Sequence, residues 1–156
     1  MSKSAAELET EAADLELRAR DLRLQSAAAR EQERQQAMRE AARVPVDRSA
    51  VELSGGGEVT ADHRELKENG QQRGYVVLSD AERAKGFVRP YRDAYRHAAC
   101  RAITTMSRDI AETYARDPFF YSGTFCTTCR AHFPVGEDGE FTWYEMDGRD
   151  GPKVGT

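Results

Sequence analysis

All three cysteines of the chain fall in two short pairs, H-x-x-C at His97 and Cys100 and C-x-x-C at Cys126 and Cys129. That pairing restricts the fold of the second half more than any other feature. Two ligating side chains three positions apart on a tight turn make half of a tetrahedral metal site, and two such pairs make a whole one. Three thiols cannot all pair within one chain, and in a reducing compartment close thiols bind metal or do redox chemistry rather than form a lasting bridge. We expect His97, Cys100, Cys126 and Cys129 to form a Cys3His site for Zn2+, with C-x-x-C carried on a hairpin knuckle. The 25 residues between Cys100 and Cys126 leave room for a helix. His132 competes as fourth ligand, because C-x-x-C-x-x-H also brings an imidazole close. The alternatives are a packed pair of small buried thiols and a redox dithiol. The latter needs C-x-x-C at a helix N-terminus, and RAHFPVGEDG after Cys129 is a poor helix.

The first part of the chain is of a different kind. From Ala5 to Ala42 there is no proline or glycine, and Ala, Leu, Glu, Arg and Gln dominate, so one long helix is expected. Leu8, Leu15 and Leu22 recur every seven residues, continued by Ala29, while Ala5, Ala12, Ala19 and Ser26 form a second row. These rows are the d and a positions of a heptad repeat. Glu7, Glu9, Glu11, Asp14 and Glu16 precede a stretch rich in arginine, from Arg18 to Arg43. Parallel copies would set acid beside acid, whereas antiparallel copies set acid beside base. A homo-oligomer through residues 5–29, as an antiparallel helix pair, is therefore expected. The other readings are packing of the stripe on the chain's own C-terminal part, and a solvated single helix.

Residues 44–74 carry Pro45, the Gly55–Gly57 triplet, Gly70 and Gly74, and read as a linker with little regular structure, the triplet as a hinge. AVEL is a candidate short strand and TADHRELKE a candidate helical turn. His63 stands among charges and reads as a solvated surface histidine. Beyond Gly74, YVVL reads as a buried strand, Ser79 with Glu82 as a capping box, and TTMSRDIAETYARD as a helix with Met106, Ile110 and Tyr114 on one face. VRPYRDAYRHAAC fits a strand or a helix after Pro90, and EFTWYEM alternates as a strand. The expected fold is α+β, with a helical dimerisation arm (1–43), a linker (44–74) and a zinc-stapled module with one main helix (75–156).

Composition bounds the function. Only 39% of residues are hydrophobic and 32% are charged, a thin supply for a core of this length. The net charge of −4 disfavours general binding to phosphate backbones. Residues 88–132 nevertheless hold seven arginines against four acids, and with Tyr91, Tyr95 and Tyr121 nearby they offer cations and stacking faces to nucleic acid. No apolar run approaches a membrane span, and the N-terminus is acidic where a signal peptide is basic, so a soluble cytoplasmic protein is expected. The zinc-deaminase pattern, a Ser/His/Asp order, a P-loop and a dinucleotide fingerprint are all missing. The expectation is a non-enzymatic module that binds a protein, with a nucleic-acid-binding accessory protein as the alternative.

The stretches GYVVLSDAERAKGFVRP, TTMSRDIAETYARDPFFYSGTFCTTCRAHFPVGEDGEFTW and KVGT resemble a group of uncharacterised small proteins encoded in bacteriophage and prophage genomes. The likeness covers about Gly74 to Thr156 and leaves out the helical arm. It implies that both paired motifs belong to one pattern, which favours His97 over His132. It also implies a viral setting, in the host cytoplasm or on the virion, with a viral or host protein as partner. The cysteine of the first pair is commonly followed by glycine in that group; here the residue is Arg101. The resemblance implies no activity.

Overall fold

A computed structural model describes residues 3–156, in two units divided between Ala37 and Met38. Helix α1 runs from Ala5 to Ala41. It starts on a capping box, in which the Glu7 N–H donates to Ser4 Oγ at 3.3 Å and the Ser4 N–H donates to Glu7 Oε2 at 2.7 Å, so two otherwise orphaned donors are satisfied reciprocally. Leu8, Leu15 and Leu22 are all more than half exposed, and so are Leu17 and Leu24. The last two lie about 200° round the helix from Leu15 and Leu22. The helix thus carries leucine on two opposite faces, of which the heptad reading identified one. Among the described residues, no helix is long and apolar enough to cross a membrane.

In the unit 38–156 the chain forms β1 (Val51–Leu53), β2 (Val76–Leu78), α2 (Asp80–Arg83), β3 (Ala94–His97), β4 (Ile103–Thr105) and α3 (Arg108–Arg116). These are followed by β5 (Gly123–Cys126), β6 (Ala131–Pro134), β7 (Phe141–Tyr144) and β8 (Asp150–Lys153). The architecture is α+β, with all pairings antiparallel: a four-stranded sheet β4-β3-β7-β8 and two-stranded sheets β1-β2 and β5-β6. The segment that fits strand or helix after Pro90 is the strand β3. TADHRELKE forms turns rather than helix, and AVEL supplies β1. The Gly55–Gly57 triplet turns the chain with φ from +87° to +110°, and Asp109 holds the turn by accepting from Ser54 Oγ and the Gly55 N–H, both at 2.8 Å.

The core gathers Tyr95, Tyr114, Cys126, Phe141, Trp143 and Val154, with Met106 and Ile110 packed against it. Tyr95 meets Phe141 edge-on at 5.3 Å, and Tyr114 meets Trp143 edge-on at 5.5 Å, arrangements that suit the ring quadrupoles. Ser79 caps α2 by accepting from the Glu82 N–H at 3.3 Å, but the expected capping box is not completed: the Ser79 N–H donates to Ala50 O at 2.8 Å and the Glu82 carboxylate turns to Arg116.

Charge also enters the interior. Arg116 is fully buried. Its guanidinium donates to the carbonyls of Ala41 (3.1 Å), Val44 (2.9 Å) and Pro45 (3.3 Å), and to Glu82 Oε1 at 3.3 Å. One cation thereby ties the Ala41 carbonyl at the end of α1 to two carbonyls of the segment that follows it. Arg116→Met removes those donors and leaves the carbonyls and the Glu82 carboxylate underserved in a dry interior. A loss of about 3–5 kcal/mol is expected, to be read from the urea midpoint of the full chain.

Candidate metal centre

Each ligand pair sits at the end of a strand, where a hairpin turns. His97 is the last residue of β3 and Cys126 the last of β5, and each partner cysteine follows three residues later in the turn. The two turns are built alike. The Arg101 N–H donates to His97 O and the Arg130 N–H to Cys126 O, both at 2.8 Å. Arg101 and Arg130 adopt φ of +63° and +56°, the only non-glycine positive values among the described residues. Left-handed backbone costs an ordinary residue about 1–2 kcal/mol, so both knuckles close against a local penalty. Thr127 N–H donates to Thr104 Oγ1 at 3.2 Å and so links one hairpin to the other.

The two knuckles bring His97, Cys100, Cys126 and Cys129 together, with their ligand atoms all within 4.8 Å of one another. His97 Nδ1 lies 3.4 Å from Cys100 Sγ and 3.5 Å from Cys129 Sγ, and Cys100 Sγ lies 3.6 Å from Cys126 Sγ. All three cysteines are free thiols. A tetrahedron with metal–sulfur bonds of about 2.3 Å and a metal–nitrogen bond of about 2.05 Å has S–N edges of about 3.6 Å and S–S edges of about 3.8 Å. These three spacings match the edges within a few tenths of an ångström, and the remaining pairs lie within 4.8 Å, so the donor set can close on a tetrahedral ion.

The imidazole is oriented from behind. His97 is buried and packs against the rings of Phe133 (4.4 Å) and Phe141 (4.9 Å). Its Nε2 is 2.8 Å from Glu140 Oε2; the carboxylate accepts, so Nε2 carries the proton and the Nδ1 lone pair faces the sulfurs. A carboxylate behind the histidine is the arrangement that fixes a ligating imidazole and raises its basicity. Burial opposes the charged ring, but the hydrogen bonds to Glu140 and Cys100 more than offset it and raise the His97 pKa. Backbone register places Glu140, since its carbonyl accepts the Ala98 N–H at 2.8 Å just before β7 pairs with β3. The sequence held no sign of this residue, which stands 43 positions from its partner.

The thiols titrate apart. The Ala102 N–H, with the neighbouring His97 ring, holds Cys100 down to about 7. Desolvation, then the nearby Cys100 and Cys126 thiols, push Cys129 up to about 11. Crowded sulfurs cannot all become thiolates without a counter-charge, and a cation at the centre of the tetrad supplies it. His132 is outside the cluster. It alternates with Phe133 along β6 and so points to the other face, where its Nε2 meets Tyr75 OH at 2.9 Å. The fourth member of the tetrad is therefore His97.

Comparison of the chain with protein-family models, with curated proteins and with solved structures finds no match in any of the three. The tetrad has to be read from its own geometry. Arg101 occupies a position whose φ glycine adopts without cost. Its guanidinium makes only exposed contacts to Asp150 at 3.4 Å, so little is lost with the side chain. Arg101→Gly is expected to raise stability by about 1 kcal/mol, measured by urea unfolding, whereas Arg101→Ala keeps the strained backbone and should not.

Proposed function

We propose that the unit 38–156 is a zinc-stapled, non-enzymatic interaction module that binds a protein, displayed on a helical arm through which two copies associate. The observation that carries this reading is the tetrad: three thiols and one imidazole at tetrahedral spacing, delivered by two knuckles. Soft sulfur with nitrogen in a tetrahedron is the donor chemistry of zinc. Four protein ligands close the coordination sphere, which suits a structural ion, since a catalytic one keeps a position for water. The setting we propose is the phage or prophage one implied by the resemblance over about residues 74–156, within the host cytoplasm, with a viral or host protein as partner.

The nucleic-acid reading ranks second because five of the seven arginines that suggest it pair with acids and two of the three tyrosines are turned into the fold, Tyr91 alone staying exposed. Arg92 pairs with Glu145 at 2.8 Å, Arg96 and Arg101 with Asp150 at 3.2 and 3.4 Å, and Arg108 with Glu112 at 2.7 Å. Arg116 is buried on Glu82. Tyr95 is a core residue whose hydroxyl donates to Phe125 O, and Tyr121 donates to Val76 O. Binding to DNA or RNA that falls steeply with added salt would reverse this ranking.

The arm associates in our reading through Leu8, Leu15 and Leu22, with the acidic half of one copy against the arginine-rich half of the other. Exposure of these leucines in the single chain supports it. Leu15→Asp with Leu22→Asp should give monomers by light scattering, whereas Leu17→Asp with Leu24→Asp, on the opposite face, should leave the assembly intact. Equal masses for the wild type and the first variant would remove the claim.

Metal analysis of the purified chain tests the centre itself, with one zinc per chain expected. Cys126→Ser should abolish binding and cooperative unfolding of residues 38–156 while the helical circular-dichroism signal of the arm persists. A metal-free protein that still unfolds cooperatively would overturn the zinc reading.

A further inference from the structure

Two of the chain's three histidines stand apart from the tetrad. His63 and His132, 69 positions apart in sequence, line one open cavity of about 420 Å3 together with Arg64, Tyr75 and Ser122. His63 is a partly covered surface residue that lines this open cavity. An irregular hairpin carries it there. The Gly74 N–H donates to His63 O at 2.9 Å and the Arg73 N–H to Glu65 O at 2.8 Å. The hairpin tip rests on the second knuckle, where a Cβ on Gly70 would lie 2.0 Å from Arg130 O and where Arg130 Nη2 donates to Glu68 O at 2.7 Å.

The hydrogen bonds leave one nitrogen of each ring open. His63 Nδ1 is 2.6 Å from Thr60 O; a carbonyl only accepts, so Nδ1 carries a proton and Nε2 is left open. The Tyr75 hydroxyl accepts the Gln72 N–H at 3.2 Å and shares a hydrogen bond of 2.9 Å with His132 Nε2. For His132 Nδ1 no protein partner is found among the described residues. Burial lowers the His132 pKa, in keeping with a neutral ring. Arg64 is exposed and makes no ion pair among the described residues, while the adjacent Asp62 and Glu65 are both held by Arg73, at 2.9 and 3.3 Å.

The geometry points to a binding site in this cavity for a phosphate monoester, held by the Arg64 guanidinium, the Ser122 hydroxyl and the open ring nitrogens His63 Nε2 and His132 Nδ1. A phosphate monoester has a second pKa of about 6, so near neutrality it is mostly the dianion; imidazole is the stronger base, so a shared proton sits on a ring nitrogen, which donates. Three terminal oxygens and a double charge match this set of donors, where a carboxylate offers two oxygens and one charge. Phe120 and Tyr121 line the same cavity and offer an apolar wall to the ester group. The site goes beyond the zinc-module reading and uses none of the tetrad residues.

Inorganic phosphate, titrated at fixed pH and ionic strength into the full-length chain, tests this through the imidazole resonances in proton–nitrogen correlation spectra. Saturable shifts at His63 and His132 are expected, with His97 unmoved as an internal reference. Arg64→Ala, an exposed substitution, should weaken binding at least about tenfold, the loss of a charge-assisted hydrogen bond. Phenyl phosphate should bind more tightly than inorganic phosphate. No shift, equal shifts at all three histidines, or unchanged affinity in Arg64→Ala would overturn the site; phenyl phosphate binding no tighter than inorganic phosphate would overturn the ester assignment. The site uses no tetrad residue and metal content is measured separately on the same folded sample, so failure here and failure of the zinc reading are separately visible.

Discussion

Three thiols and an imidazole held within 4.8 Å of one another are the constraint around which residues 38–156 are organised. Such a cluster is unfavourable as bare thiolates, because like charges repel and each needs a donor. Around it the backbone accepts two left-handed arginines, and the turns of two hairpins from separate sheets come together. The zinc reading accounts for the compensation: structural zinc contributes about 10–16 kcal/mol of apparent binding free energy, comparable with the whole net stability of a domain, about 5–15 kcal/mol. Strain of a few kcal/mol at Arg101 and Arg130 is tolerable against a term of that size.

The knuckles also position their surroundings. Cys126 belongs at once to the tetrad and to the aromatic core, so the ligand set and the packing of Tyr95, Phe141 and Trp143 are parts of one assembly. Phe133 packs on the His97 ring while its neighbour His132 faces the other side of β6. One hairpin strand therefore serves the tetrad on one face and the histidine cavity on the other. The hairpin bearing His63 reaches that cavity because its glycine tip fits on the Arg130 carbonyl.

What could be read from the sequence was whatever a short window determines. The ligand pairs, the N-cap at Ser79, the strands YVVL and FTWY and the helix Arg108–Arg116 each rest on residues within a turn or two of one another; the first residues of TTMSRDIAETYARD, expected in that helix, instead end β4, where Ala94 and Tyr95 pair with them. Glu140 behind His97 and the meeting of His63 with His132 depend on pairings across 43 and 69 positions, to which no local pattern is sensitive. The strand β8, DGPK, lacks apolar alternation altogether; its pairing with β7 comes from the sheet edge it completes. Arg101 shows the opposite case. Its type argues against a tight turn, and the turn forms regardless, because the cost of one left-handed residue is small beside the geometry the ligand pair requires.

The arginines show why a count of charges misleads here. A chain with 39% hydrophobic residues cannot fill this interior with apolar side chains alone, and part of the space is taken by ion pairs instead. Arg83 bridges Glu52 and Glu112, and Arg116 sits on Glu82 with three carbonyls at and just after the end of α1. Such pairs add little net stability compared with well-packed apolar groups, but they are expensive to break and they accept only one geometry. Part of the positive charge in the sequence therefore becomes fixed internal connections, at Arg83 and Arg116, rather than free cationic surface. Arg64, on the rim of the histidine cavity, is different: it is exposed, and its acidic neighbours are already bound to Arg73. The capacity to meet an anion follows from which charges the fold leaves uncommitted, and that is decided by tertiary pairing rather than by composition.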